Sequence, residues 1–465
     1  MTGPLLFERV EVAGRPGQYV LVADGRVRSV SGTRPQGVQR ATVVDGAGGA
    51  LLTGLNDHHL HLFATAAATA PGAVSLDRED VRDAADVAAT LRSAAAVAGP
   101  GGWVRATGYD DDRAGPLTAP VLDRMLGDLA DRPVRVQHRS GHAWILNSAA
   151  MRLLGVAPPD GVLLDADDIL RGTPGDGFPA LAGLSRRLAA YGITGVTDAG
   201  VNNGPAELAE LRRAAHAGEL AQRCLVMGGP GLDGRRPTGR VTVGPRKIVL
   251  ADHRLPALDE LVGEIRAAGE RGVAVHAVTL ESLLLAVTAM SVAGGPDRTV
   301  RHRIEHGSVA PPPAVAAVAR AGARVVTQPG FVPAHGDRYL RTVDPADLPW
   351  MYRLRGWLDA GVPVAAGSDA PYGPVDPWAV MRAAVGRRTG EGRPFGPGEA
   401  LSPEEALCLF TAPLADPGGP TGSGPVPGDP ADLCLLRVNW AQARRELTAG
   451  LVAATFVAGR SVRTD

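Results

Sequence analysis

The chain has 465 residues, a formal net charge of −1 and 45% hydrophobic residues, enough for a large barrel with an appendage or for two to three ordinary domains. No basic block is present, so neither nucleic acid nor an anionic membrane surface is an expected partner. No run reaches the roughly 18 apolar residues of a membrane span, and Cys224, Cys408 and Cys434 are too few for a disulfide framework or a cysteine zinc site. The opening residues carry Glu8 and Glu11 and no long apolar core, so they do not read as a signal peptide and a cytoplasmic location is expected.

The first fifty residues alternate in the manner of short strands: 7–12, 19–23 and 26–30, with a turn at Asp24-Gly25. Leu51-Leu52-Thr53-Gly54-Leu55 is a short apolar run that leads into Asp57-His58-His59-Leu60-His61. Residues 79–98 are Ala-rich and helix-like, and 133–137 are strand-like. Helical patterns follow at 205–219, 257–270, 281–292, 311–321 and 352–360. Four of them lead into apolar strands at 272–276, 303–306, 324–328 and 362–369. The end of the chain returns to strand texture at 432–436 and 454–460, after a Pro/Gly-rich stretch from Pro417 to Pro430.

Repeated helix-to-strand units with apolar strands predict a parallel sheet, open or closed. The β-rich ends predict a small sheet domain assembled from both termini.

Chemistry-bearing residues sit at the ends of those strands. An extended His59-x-His61 places two imidazoles on one face, half of a metal site. Lys247, His276, His306 and Asp369 follow at separations of 276 − 247 = 29, 306 − 276 = 30 and 369 − 306 = 63. One βα unit takes roughly 30 residues, so these are steps of one, one and two units. Ends of consecutive strands in a closed barrel converge on its C-terminal mouth. Lys247 is also the only lysine among 48 Lys and Arg residues. An amine can act as a nucleophile where a guanidinium cannot.

The ordered set His59-x-His61, Lys247, His276, His306, Asp369 resembles the amidohydrolase superfamily. Residues 52–61, 140–148, 192–198, 303–307, 366–371 and 427–433 narrow the likeness to amidohydrolase family 3, the branch of N-substituted formamide deformylase-like proteins. The resemblance implies an α/β fold: a (β/α)8 TIM-type barrel over 54–415 with a small β-sandwich domain built from both chain termini, 1–53 and 416–465.

It also implies a hydrolase that cleaves a C–N bond (amide, N-formyl or cyclic amide) with a metal-activated water. One or two divalent ions, zinc foremost, would be the cofactor and a small molecule the substrate, with homo-oligomer formation left open. His59, His61 and Asp369 would hold one ion and His276 and His306 a second. Lys247 would bridge them as a carbamate, and Asp369 would move the proton. His142, Trp144, Asp198 and Trp103 are candidate substrate contacts.

The chain departs from the family pattern around its lysine, with Arg246 before it and Asp252-His253 after it. A one-metal site on His59, His61, His276 and Asp369 is therefore an alternative. So is aminohydrolase (deaminase) chemistry, although deaminases of the superfamily usually carry a glutamate where this chain has Thr279. A barrel without catalysis is the third reading.

Overall fold

The computed structural model describes residues 3–70, 73–78, 80–99, 101–141, 143–164, 177–294, 300, 302–422 and 424–462. Eight parallel strands, numbered here in chain order, form one sheet: β1 Leu55–Leu60, β2 Ile193–Asp198, β3 Arg223–Gly228, β4 Val241–Val249, β5 Val273–Ala277, β6 Arg303–His306, β7 Arg324–Thr327 and β8 Val364–Ala366. Every residue of β2, β6, β7 and β8 is buried, as expected for parallel strands covered on both faces.

Just past the end of β8 the sheet closes on itself. Asp369 N–H donates to the His59 carbonyl at 2.7 Å, and His61 N–H donates to the Ala370 carbonyl at 2.9 Å. The approach is close: a Cβ added at Gly367 would lie 2.4 Å from the His59 Cβ.

Helices cover most crossings. Pro205–His216 follows β2, buries Leu208, Leu211, Ala214 and Ala215 on one stripe, and begins with Glu207 accepting from the Gly204 N–H at 2.8 Å. Leu258–Ala268 follows β4, Leu280–Ala293 follows β5 and Pro312–Ala321 follows β6. Between β3 and β4 the chain makes only the short turn Pro230–Leu232. The expected helix over 352–360 shortens to Arg355–Asp359, and the main cover after β7 is Phe331–Thr342, which opens beyond Pro329-Gly330.

The termini build the sandwich. One sheet has the order Arg26–Ser31, Arg15–Ala23, Leu5–Val12, Thr42–Asp45. The other has the order Arg460–Ser461, Val452–Val457, Leu433–Leu436, Leu51–Thr53. Their shared core joins Phe7, Val20, Leu51, Leu433 and Phe456, with the two phenylalanine rings edge to face at 4.9 Å.

By compactness the chain divides into Met1–Leu62 with Leu181–Asp465, and Phe63–Ala180. The second unit has its own five-stranded sheet: Val74–Ser75, Val104–Tyr109 and Val134–His138 are parallel, and Ala143–Leu146 and Val162–Leu164 are added antiparallel. Its core gathers Leu91, Tyr109, Leu122 and Val136.

Candidate metal centre at the barrel mouth

Strand β1 and the turn after β8 supply one side of the mouth. His59 is 1% exposed, with its Nε2 3.5 Å from Asp369 Oδ1, and His61 Nε2 is 3.2 Å from the same oxygen. Beneath them, Asp57 Oδ1 accepts the backbone N–H groups of Ser368 at 3.0 Å and His59 at 3.1 Å, which ties β1 to β8. Burial pushes Asp57 up to about 7 against those bonds.

Burial alone would also raise Asp369. The field of His59, the His61 hydrogen bond and the field of His306 outweigh it and hold the carboxyl well below the usual carboxylate range. Asp369 therefore stays anionic at neutral pH.

Strand β6 supplies the opposite side. His306 lies with its ring 4.9 Å from that of His59 and 4.4 Å from that of His276, and its Nδ1 is 3.9 Å from Asp369 Oδ2. Alternation alone would turn His306 away from the face used by Arg303 and Glu305. A left-handed φ of 71° at the strand end breaks that alternation and re-aims the ring. Asp369 has the same kind of backbone, φ 53°. His306 Nδ1 donates to Gln328 Oε1 at 2.8 Å, and burial lowers the pKa of the ring.

Lys247 comes from β4 and His276 from the end of β5, where Val249 pairs with His276. Lys247 is 5% exposed, and among the described residues its Nζ has no hydrogen-bond partner. Burial pushes its pKa down, while Glu305 and Asp369 pull the other way. His59, in turn, is pushed down to about 3 by burial and then by Lys247.

The flanking Arg246 points the opposite way. Its guanidinium binds the carboxylate of Asp233 and the Ala267 carbonyl at 2.9 Å in the helix layer. The departure from the family pattern before the lysine thus lies on the outer face of the strand. Asp252 accepts from Thr279 Oγ1 at 2.7 Å, and that oxygen also caps the helix after β5 through the Ser282 N–H.

Donor atoms of His59, His306 and Asp369 all lie within 4.8 Å of one another. Neutral imidazoles of His59 and His306, a carboxylate held anionic and an amine without a hydrogen-bond partner among the described residues make a donor set that fits divalent metal.

Asp198, at the end of β2, is buried with Oδ2 unpartnered among the described residues. Burial raises its pKa, and the field of His61 opposes that rise. Trp103 and Trp144 belong to the Phe63–Ala180 unit, where both rings face the Arg135 guanidinium, at 6.0 and 5.4 Å. His142 lies outside the described residues.

Sequence reasoning missed Glu305, which is fully buried and bonded to His59 Nδ1. His58, to which the sequence assigned no ligand role, is fully buried, and neither of its ring nitrogens has a partner among the described residues. Tyr372, edge to face with His61 at 5.7 Å, was likewise unmarked.

A model of the amidohydrolase family matches residues 42–463. Among curated proteins, an N-substituted formamide deformylase of Arthrobacter pascens is 26% identical over 452 residues, covering 82% of each chain. Among solved structures, an uncharacterized metal-dependent hydrolase of Pyrococcus horikoshii matches with a TM-score of 0.72 at 20% identity, over 89% of this chain and 95% of that one. A second uncharacterized metal-dependent hydrolase, of Pyrococcus furiosus, matches at 0.68 and 21% identity, over 92% and 100%. The chain belongs to the amidohydrolase family and is a metal-dependent hydrolase of carbon–nitrogen bonds.

Proposed function

We propose that the enzyme hydrolyses the C–N bond of an amide, with N-substituted formamides as the first substrates to try, at a site for two divalent ions, zinc foremost. His59, His61 and Asp369 would hold one ion, His276 and His306 the other, and Lys247 would join them as a carbamate. The observation that carries this reading is the buried Lys247 amine, without a partner among the described residues and lowered in pKa beside a histidine–carboxylate cluster. Carbamate formation joins the lysine nitrogen to the carbon of carbon dioxide and releases a proton, which requires the neutral amine that burial favours. Bound there, divalent ions would lower the pKa of water and polarise a carbonyl.

The remaining work falls to the chain. Asp369 accepts a proton from the water that adds to the substrate carbonyl, then gives it to the departing nitrogen as the C–N bond breaks. Its low pKa keeps it ready as a base at neutral pH. Asp198, buried at the end of β2 with Oδ2 unpartnered among the described residues, would be a substrate contact.

The name of the Arthrobacter relative supports the N-formyl class. Deaminase chemistry is disfavoured, because Thr279 is committed to its helix cap and to Asp252.

Metal per chain in wild type and Lys247→Arg tests the reading. About two ions are expected in wild type and at least one fewer in the variant, with activity lost; an unchanged metal count sinks the bridging carbamate. N-formyl amines, N-acyl amines and N-acyl amino acids would be screened in parallel.

A further inference from the structure

The two buried histidines of the mouth are held from behind by unlike groups. His59 Nδ1 donates to the carboxylate of Glu305, whereas His306 Nδ1 donates to the neutral amide oxygen of Gln328 at 2.8 Å. In both cases Nδ1 is occupied and the ring lone pair is left on Nε2. Glu305 is itself fixed. Arg303 binds it through Nε to one oxygen and through Nη2 to the other at 3.0 Å, and the same Nη2 reaches the His58 carbonyl at 2.7 Å. Arg303, Glu305 and His59 are each no more than 1% exposed, so water does not compete for these contacts. Carboxylates in this position raise the basicity of a ligating histidine and fix its orientation. A neutral amide fixes the orientation but contributes no charge.

We infer that Arg303 and Glu305 are positioning residues that make His59 the stronger donor, so that the ion on its side is bound more tightly than the ion on the His306 side. This rests on the metal reading proposed above.

The test is a zinc titration of metal-free, full-length protein against a chromogenic chelator, which resolves the two binding steps. Glu305→Gln is expected to weaken the tighter step by about 10–100-fold, leaving the weaker one in place. Gln328→Glu is expected to strengthen the weaker step. Because Glu305→Gln strands a buried guanidinium, the double variant Arg303→Met/Glu305→Gln removes that charge and should show the same loss of affinity.

Several results would overturn the inference: equal wild-type affinities, folded Glu305 variants that keep the wild-type ratio of affinities, or a lower apo-protein melting temperature with that ratio unchanged. If neither Glu305 variant folds, an unaltered weaker step in Gln328→Glu overturns it. No zinc bound by wild type would instead sink the metal reading itself.

Discussion

The terminal sandwich and the barrel mouth are both buried, but they are buried with opposite contents. Phe7, Val20, Leu51, Leu433 and Phe456 pack with no polar side chain among them. The mouth packs Asp57, His58, His59, Lys247, Arg303, Glu305, His306 and Asp369, all less than 9% exposed. Two of these residues also hold left-handed backbone. Apolar burial stabilises a fold almost regardless of detail, whereas buried charges stabilise only when each finds its counterpart. The mouth therefore draws on stability generated elsewhere, and the sandwich is one source of it.

Three substitutions separate those roles. The largest effect belongs to the mouth: Asp369→Asn should lower kcat by about 10²–10⁴-fold, with the unfolding midpoint of metal-free protein changed far less. A parallel collapse of both would mean that the carboxylate is structural.

Next comes the sandwich. Phe456→Ala should cost about 3–5 kcal/mol in denaturant titrations, while the fraction that remains folded keeps its kcat. A loss of kcat in that folded fraction would tie the sandwich to the chemistry and break the comparison.

The smallest effect is a matter of pH. Burial pushes His58 from its usual 6.5 down to about 3, so the folded ring stays neutral while the unfolded one takes up a proton below about pH 6.5. Stability from His58 is complete above that value and is lost as pH falls toward 3. At pH 5 the loss is about 2 kcal/mol per such histidine. In metal-free protein, His58→Leu should lose about that much less stability than wild type between pH 7.5 and 5, measured by equilibrium denaturation. Equal losses would show that His58 is not part of the acid limb.

Much of this could be read from the residues. The 29-30-63 spacing places Lys247, His276 and His306 on β4, β5 and β6 and Asp369 just past β8, with β7 skipped, because a βα unit has a nearly constant length. Alternating ends announced the sheets built from both termini. What stayed hidden was long-range or conformational. Glu305 reaches a histidine 246 positions away, and no local pattern encodes that contact. His58 falls on the face opposite His59 and His61 in an alternating strand, but β1 is covered on both faces, so its ring is buried. The left-handed turns at His306 and Asp369 fall on residues whose side chains do not demand them. The Phe63–Ala180 unit escaped notice because its strands and helices have the same texture as those of the barrel.

The closing seam has a consequence for how this enzyme comes into being. His59 lies on the first strand, His61 just past it and Asp369 just beyond the last, and the bonds that shut the barrel run between those same short segments. On the role proposed for Asp369, the proton carrier stands beside the first two histidines only once these segments have joined. Catalytic competence is then expected to arrive with ring closure, so that the first turnover in a refolding experiment would mark the time at which the circle is completed.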